Sequence, residues 1–281
     1  MVKKIFHISD IHIPNSLTER PYDEMIKKFL AQLYTDIQKI KETEKLQDDE
    51  IRIVVAGDIF HQKVKITNEA REIFHVLLNF LNALGKTIIY AGNHDLLENN
   101  RSRKDSLTPT FAINGVYNNI TFIDKELNYQ SGIVKDDNII WVLYSIFDKF
   151  KQPEMVGLKS EYPDNKIIGL YHGNLPGATT DVGITIGKGA DANIFNDCDC
   201  VMAGHIHKFQ TIKSNGVPLV YAGSLFQQDC GENVTGHGYV VWDVDTMKYK
   251  HKEVLNDYRT YKFKLTTYED VSNDEERLIN L

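Results

Sequence analysis

Ile88-Ile89-Tyr90-Ala91-Gly92-Asn93-His94-Asp95 is the stretch whose reading decides the fold. A short, wholly apolar run that ends in Gly-Asn-His-Asp reads as a strand buried on both faces, passing at its C-terminal end into a loop of polar side chains. The arrangement recurs. The run at 5–8 precedes Asp10-Ile11-His12, that at 51–56 precedes Gly57-Asp58-Ile59-Phe60-His61, and that at 167–170 precedes His172-Gly173-Asn174. A shorter run at 200–203 precedes Gly204-His205-Ile206-His207. The five clusters collect Asp10, Asp58, Asp95, Asn93 and six of the ten histidines. Carboxylate, amide and imidazole donors converging at strand ends suit borderline or hard divalent cations and not a thiolate site. Function is therefore to be sought in metal chemistry.

The segments between the first three runs are helical. Residues 22–41 place Met25, Ile26, Phe29, Leu30, Leu33, Ile37 and Ile40 at the helical period, with Pro21 ahead and Asp23-Glu24 in the first turn. Residues 68–84 form a second helix, with Thr67 as N-cap and Gly85 as stop. This β-α-β-α-β order implies parallel pairing through right-handed crossovers. The second half predicts many short strands, at 120–123, 139–144, 167–171, 199–203, 207–213, 217–222, 238–243 and 248–254, with Asn215-Gly216 as a hairpin turn. The expected class is α/β, with a second sheet packed on the first.

Bulk properties remove several alternatives. A chain of 281 residues buries a large core as one domain, or as one domain with an appendage. We expect one main unit at 1–254 and, at 255–281, the opening of a further module or a tail. The apolar runs are shorter than the roughly 20 residues a membrane helix needs. His7 and Asp10 interrupt the N-terminus, so it is not a signal peptide. Cys198, Cys200 and Cys230 are odd in number and read as free thiols in a reducing cytoplasm. A net charge of −7 and a pI of about 5.8 argue against a broad basic surface gripping nucleic acid unaided. They leave room for a nuclease whose bound cations or protein partner supply positive charge.

Asp10 and His12 are two apart at a strand end, as are His205 and His207, so each pair can point one way. With Asp58, Asn93 and His172 they make seven donors, enough for two metals if the Asp58 carboxylate is shared. Two such cations clamp the attacking and leaving oxygens of an in-line phosphoryl displacement. His94 follows Asn93 and should stand beside the metals, where it donates a proton to the leaving oxygen or holds the phosphate. Asp95 is expected to hydrogen-bond that imidazole or to cap the next turn.

The series Asp-x-His, Gly-Asp, Gly-Asn-His-Asp, His and Gly-His-x-His resembles the calcineurin-like metallophosphoesterase superfamily, from about residue 5 to 243. The resemblance implies two mixed β-sheets packed as a sandwich flanked by helices. It implies one metal on Asp10, His12, Asp58 and His207, a second on Asp58, Asn93, His172 and His205, and His94 as catalytic histidine. Gly57-Asp58-Ile59-Phe60-His61 and the segment at 222–232 are similar to the SbcD-type nuclease component of double-strand-break repair complexes, including its phage counterpart. That likeness implies that His61 orients His94 and the phosphate. It also implies two Mn²⁺ ions, a DNA substrate, an SbcC-type ATPase partner docking on a segment further on than residue 281, a possible homodimer through the first helix or the basic loop near Arg101, and a capping module beginning at 255.

The leading reading is a Mn-dependent DNA nuclease of repair or recombination. The same site would serve a phosphatase or phosphodiesterase acting on a small molecule or protein. A non-catalytic scaffold keeping the fold is disfavoured because every expected ligand and the catalytic histidine are present.

Overall fold

The computed structural model describes residues 1–17, 20–100, 102–112 and 115–261. Arg101 of the basic loop and residues 262–281 of the expected capping module lie outside the described residues.

Two six-stranded mixed sheets pack face to face. The first contains β1 (Lys4–Ile8), β2 (Ile51–Ala56), β3 (Thr87–Tyr90), β4 (Ile120–Phe122), β11 (Gly238–Asp243) and β12 (Lys248–Glu253), in the order β12-β11-β1-β2-β3-β4. Strands β1 to β4 run parallel, and β11 returns antiparallel beside β1. The second contains β5 (Gly132–Asp136), β6 (Ile139–Tyr144), β7 (Lys166–His172), β8 (Cys200–Gly204), β9 (Gln210–Ser214) and β10 (Val217–Tyr221), in the order β5-β6-β7-β8-β10-β9.

Helices α1 (Tyr22–Glu44) and α2 (Asn68–Leu84) are the two crossovers, and they cover the outer face of the first sheet. Thr67 caps α2 by accepting the Ala70 N–H at 3.3 Å, and Gly85 ends it at φ 148°. Phe6, Ile8, Ile53 and Val55 meet these helices, while Ile5, Val54 and Ala56 face Trp141, Leu170 and Met202 across the sandwich. Burial on both faces is why these strands read as unbroken apolar runs. On the outer face of the second sheet the helical cover is short: Tyr144, Tyr171 and Tyr221 lie beneath Leu158 of a one-turn α-helix (Leu158–Glu161), Phe195 of a 3-10 turn (Ala192–Phe195) and Leu175 of a loop. No helix among the described residues is long and apolar enough to cross a membrane.

The parallel strands β1, β2, β3, β7 and β8 therefore deliver all five polar loops to one end of the sandwich. Beneath them, His7 shares the inter-sheet face with Ile5. It is fully buried near the Ala203 backbone, and neither ring nitrogen makes a well-formed hydrogen bond. Burial pushes its pKa down from 6.5 to about 3. A neutral buried histidine stabilises the fold above its unfolded pKa, and this contribution is lost as pH falls from about 6.5 toward 3, at about 1.4 kcal/mol per pH unit. His7→Leu should therefore raise Tm over wild type, by a margin that widens between pH 7 and pH 5. A margin equal at both pH values would contradict this reading of His7.

Candidate metal centre

The strand ends turn abruptly. Asp10, His12, Asp58 and His205 adopt φ values of 50°, 52°, 50° and 97°. A residue with a side chain in that left-handed region costs about 1–3 kcal/mol, and such positions cluster at functional sites. Backbone hydrogen bonds hold the turns together: Asp10 N–H donates to Gly57 O at 3.2 Å, His12 N–H to Asp58 O at 2.9 Å and His61 N–H to Ile13 O at 3.0 Å. Gly57 is also left-handed, and a Cβ there would lie 2.5 Å from His172 Nδ1. At Gly92 a Cβ would collide with the Asp58 carboxylate. Only glycine lets these two backbones approach so closely.

Donor atoms converge in three groups, each with its atoms within 4.8 Å of one another: Asp10, His12 and His207; His12, Asp58 and His94; and Asp58, His172 and His205. Asn93 joins the last through its Oδ1, 2.7 Å from His205 Nδ1. All seven donors expected from sequence thus meet at one place, with His94 in the group of His12 and Asp58. Asp58 is central. Its Oδ2 lies 3.3 Å from His172 Nε2 and 3.7 Å from His12 Nε2, and its Oδ1 accepts the His94 N–H at 2.7 Å. Asp10 accepts the Ser9 hydroxyl and, at 3.0 Å, the His205 N–H.

The ring orientations suit cations. His172 Nδ1 donates to Ala56 O at 2.7 Å, which leaves its buried Nε2 with no hydrogen bond. His12 Nδ1 is likewise buried and unpartnered, and His12 Nε2 stands only 3.0 Å from His207 Nε2. Imidazole lone pairs facing one another, and facing carboxylates, are satisfied by a shared positive charge. Burial disfavours the imidazolium of His172, but Asp58 and Asp10 outweigh it and push its pKa up to about 9. Burial of His207 is outweighed in the same way by Glu232 and Asp10, again up to about 9. Burial would raise the Asp58 pKa, but His172 and His12 hold its carboxyl well below the usual range. Protons on these two histidines stand where divalent cations would. Metal binding at such sites releases them.

Three side chains depart from expectation or were missed. Asp95 does not touch the His94 imidazole. It is fully buried and accepts the N–H groups of Gly92 at 2.9 Å, Ile59 at 3.1 Å and Phe60 at 3.3 Å, tying the β3 loop to the β2 loop. The His61 backbone carbonyl, and not its ring, receives His94 Nδ1 at 2.7 Å. The His61 ring stands further out, its centroid 5.6 Å from that of His12 and 5.9 Å from that of His94. Glu232, which carried no individual role in the sequence, meets His207 Nδ1.

The family model of the calcineurin-like phosphoesterases matches residues 3–209, a span that holds every one of these donors. The chain belongs to that family. Members use divalent metals, which agrees with the donor groups, and membership supports a metal-dependent phosphoesterase activity. An uncharacterized protein of Acanthamoeba polyphaga mimivirus is 32% identical to this chain over 265 residues, covering 92% of this chain and 18% of the relative's own length. A Staphylococcus saprophyticus protein, named as the SbcD component of the nuclease SbcCD, is 24% identical over 298 residues, covering 97% of this chain and 74% of that protein. One crystal structure superposes with a TM-score of 0.51 at 14% identity, over 91% of this chain and 100% of its own, a likeness of fold.

Proposed function

We propose that this phosphoesterase is a Mn-dependent DNA nuclease that hydrolyses phosphodiester bonds in double-strand-break repair or recombination. DNA, an SbcC-type ATPase and a second copy of the chain are its partners, and residues from 255 onward open a capping module. The observation that carries the reading is His94, whose Nδ1 is fixed by the His61 carbonyl and whose ring stands in the donor group of His12 and Asp58, next to the group of Asp58, His172 and His205. The relative named as a nuclease component supports DNA as the substrate.

Asp10, His12, Asp58 and His207 would hold one ion, and Asp58, Asn93, His172 and His205 the other. Bound there, two divalent ions neutralise phosphate charge and make hydroxide available near neutral pH. The residues do the rest. Since Nδ1 of His94 donates to the His61 carbonyl, its Nε2 is the atom presented to substrate. Protonated, that atom gives its proton to the leaving oxygen or hydrogen-bonds a phosphate oxygen. The His61 ring bounds the phosphate on its outer side. Open hollows of about 320 Å³, lined by His12, Asn15, Arg20 and His61, and about 240 Å³, lined by Asp181, His205 and Lys208, flank the donors. Two flanking hollows suit a substrate that extends past the scissile phosphate in both directions.

A second reading, hydrolysis of a small-molecule or protein phosphate ester, draws support from the net charge of −7. A screen of phosphate esters separates the two. We expect turnover of a diester such as bis-p-nitrophenyl phosphate and little turnover of monoesters. Efficient monoester hydrolysis without DNA cleavage would establish the second reading.

A further inference from the structure

Glu232 lies in the loop after β10, beyond the residues 3–209 matched to the family. Its side chain is only 10% exposed. Oε1 accepts from His207 Nδ1 at 2.5 Å, and Oε2 accepts the Gln228 N–H at 2.8 Å. Burying a carboxylate is costly unless it is paired and hydrogen-bonded, so this one is held for what it pairs with.

The loop that carries it is fastened in turn. Buried Gln227 donates from Nε2 to Glu232 O at 3.2 Å. It also grips the backbone of Thr260 twice, accepting its N–H at 2.8 Å and donating to its carbonyl at 2.9 Å. Arg20 donates to both Gln227 O and Thr260 Oγ1. These bonds hold the backbone of the loop at Glu232, and the Gln228 N–H holds its carboxylate.

We propose that Glu232 is the positioning residue of the Asp10–His12–His207 group, acting through His207. By holding the proton on Nδ1 it leaves the Nε2 lone pair of His207 aimed at the space shared with His12 Nε2 and Asp10 Oδ1, 3.0 and 4.0 Å away. Its charge also strengthens that nitrogen as a donor. A carboxylate behind a metal-binding imidazole fixes tautomer and ring orientation and raises ligand basicity. The proposal rests on the two-metal reading above and concerns one of its two ions.

Its test is Mn²⁺ binding to the full chain, by calorimetry and by metal analysis after dialysis, in wild type, Glu232→Ala, Glu232→Gln and Asn93→Ala. Glu232→Ala should weaken one of two ions about 10- to 100-fold and leave the other at wild-type affinity. Asn93→Ala should weaken the other one instead. Glu232→Gln keeps an acceptor for His207 Nδ1 but loses the charge, so its loss should be intermediate; it also carries the test if the alanine variant folds poorly. A merely structural role would lower Tm without changing either affinity in the folded protein. Wild-type affinity for both ions in Glu232→Ala and Glu232→Gln would overturn the proposal alone. A wild type that binds no divalent ion would overturn the two-metal reading itself.

Discussion

His94→Asn should slow phosphodiester hydrolysis by about 10²- to 10⁴-fold, the range for losing a positioned acid–base group, while the bound metal content stays at the wild-type value. The reason is geometric. His94 reaches the site with Nδ1 committed to the His61 carbonyl at 2.7 Å, so a single tautomer of the neutral ring is favoured and Nε2 faces the substrate. Its backbone N–H donates to Asp58 Oδ1 at 2.7 Å, an interaction that the asparagine variant keeps. The metal donors should therefore stay in place while the proton donor is lost. The check is kcat on a diester beside metal analysis of the same preparation. Activity within a fewfold of wild type would remove His94 from the chemistry, and a parallel loss of metal would make it a ligand.

Asp58→Asn should go further and empty the centre. Asp58 is the one carboxylate common to the second and third donor groups, and the buried rings of His172 and His12 both approach its Oδ2. Without its charge the variant should retain at most one weakly bound ion and show only background hydrolysis. The metal-free protein should suffer as well. A folded pKa of about 9 for His172 means that the proton there stabilises the fold fully below about pH 6.5, and that this contribution fades as pH rises through 9. Removing one member of a buried pair typically costs roughly 3–5 kcal/mol. Urea unfolding of metal-free wild type and variant should show a gap of that order at pH 6 that narrows toward pH 9. A gap that is absent, or that grows with pH, would contradict the His172–Asp58 pairing.

Much of this centre was legible in the sequence because strands buried on both faces cannot hide. Residues 51–56 and 88–91 can pack only where both faces of a sheet are covered, and the polar residues that follow these parallel strands must emerge at the same end. Asp58, Asn93 and His94 follow from those two runs, and Asp10, His12, His172, His205 and His207 from the runs at 5–8, 167–170 and 200–203. What stayed hidden depends on contacts distant in sequence or on the backbone. Asp95 suggests a local partner, yet its three donors come largely from the β2 loop, which only the parallel pairing of β2 and β3 brings alongside. His61 advertises a side chain, whereas its carbonyl makes the contact with His94. Glu232 stands far along the chain from His207 in no ligand-like spacing, and only the return from β10 lays it behind that ring. Strand β5 was missed for a simpler reason: Gly132–Asp136 is a half-exposed edge with no clear alternation.

The most direct test of the central claim is cleavage of end-labelled linear duplex DNA by the wild-type chain with added Mn²⁺, beside the same reaction in chelator and with His94→Asn. The account predicts degradation that requires the metal and disappears in the variant. Intact DNA, under conditions where the same metal-loaded protein efficiently hydrolyses a small phosphate monoester, would contradict it.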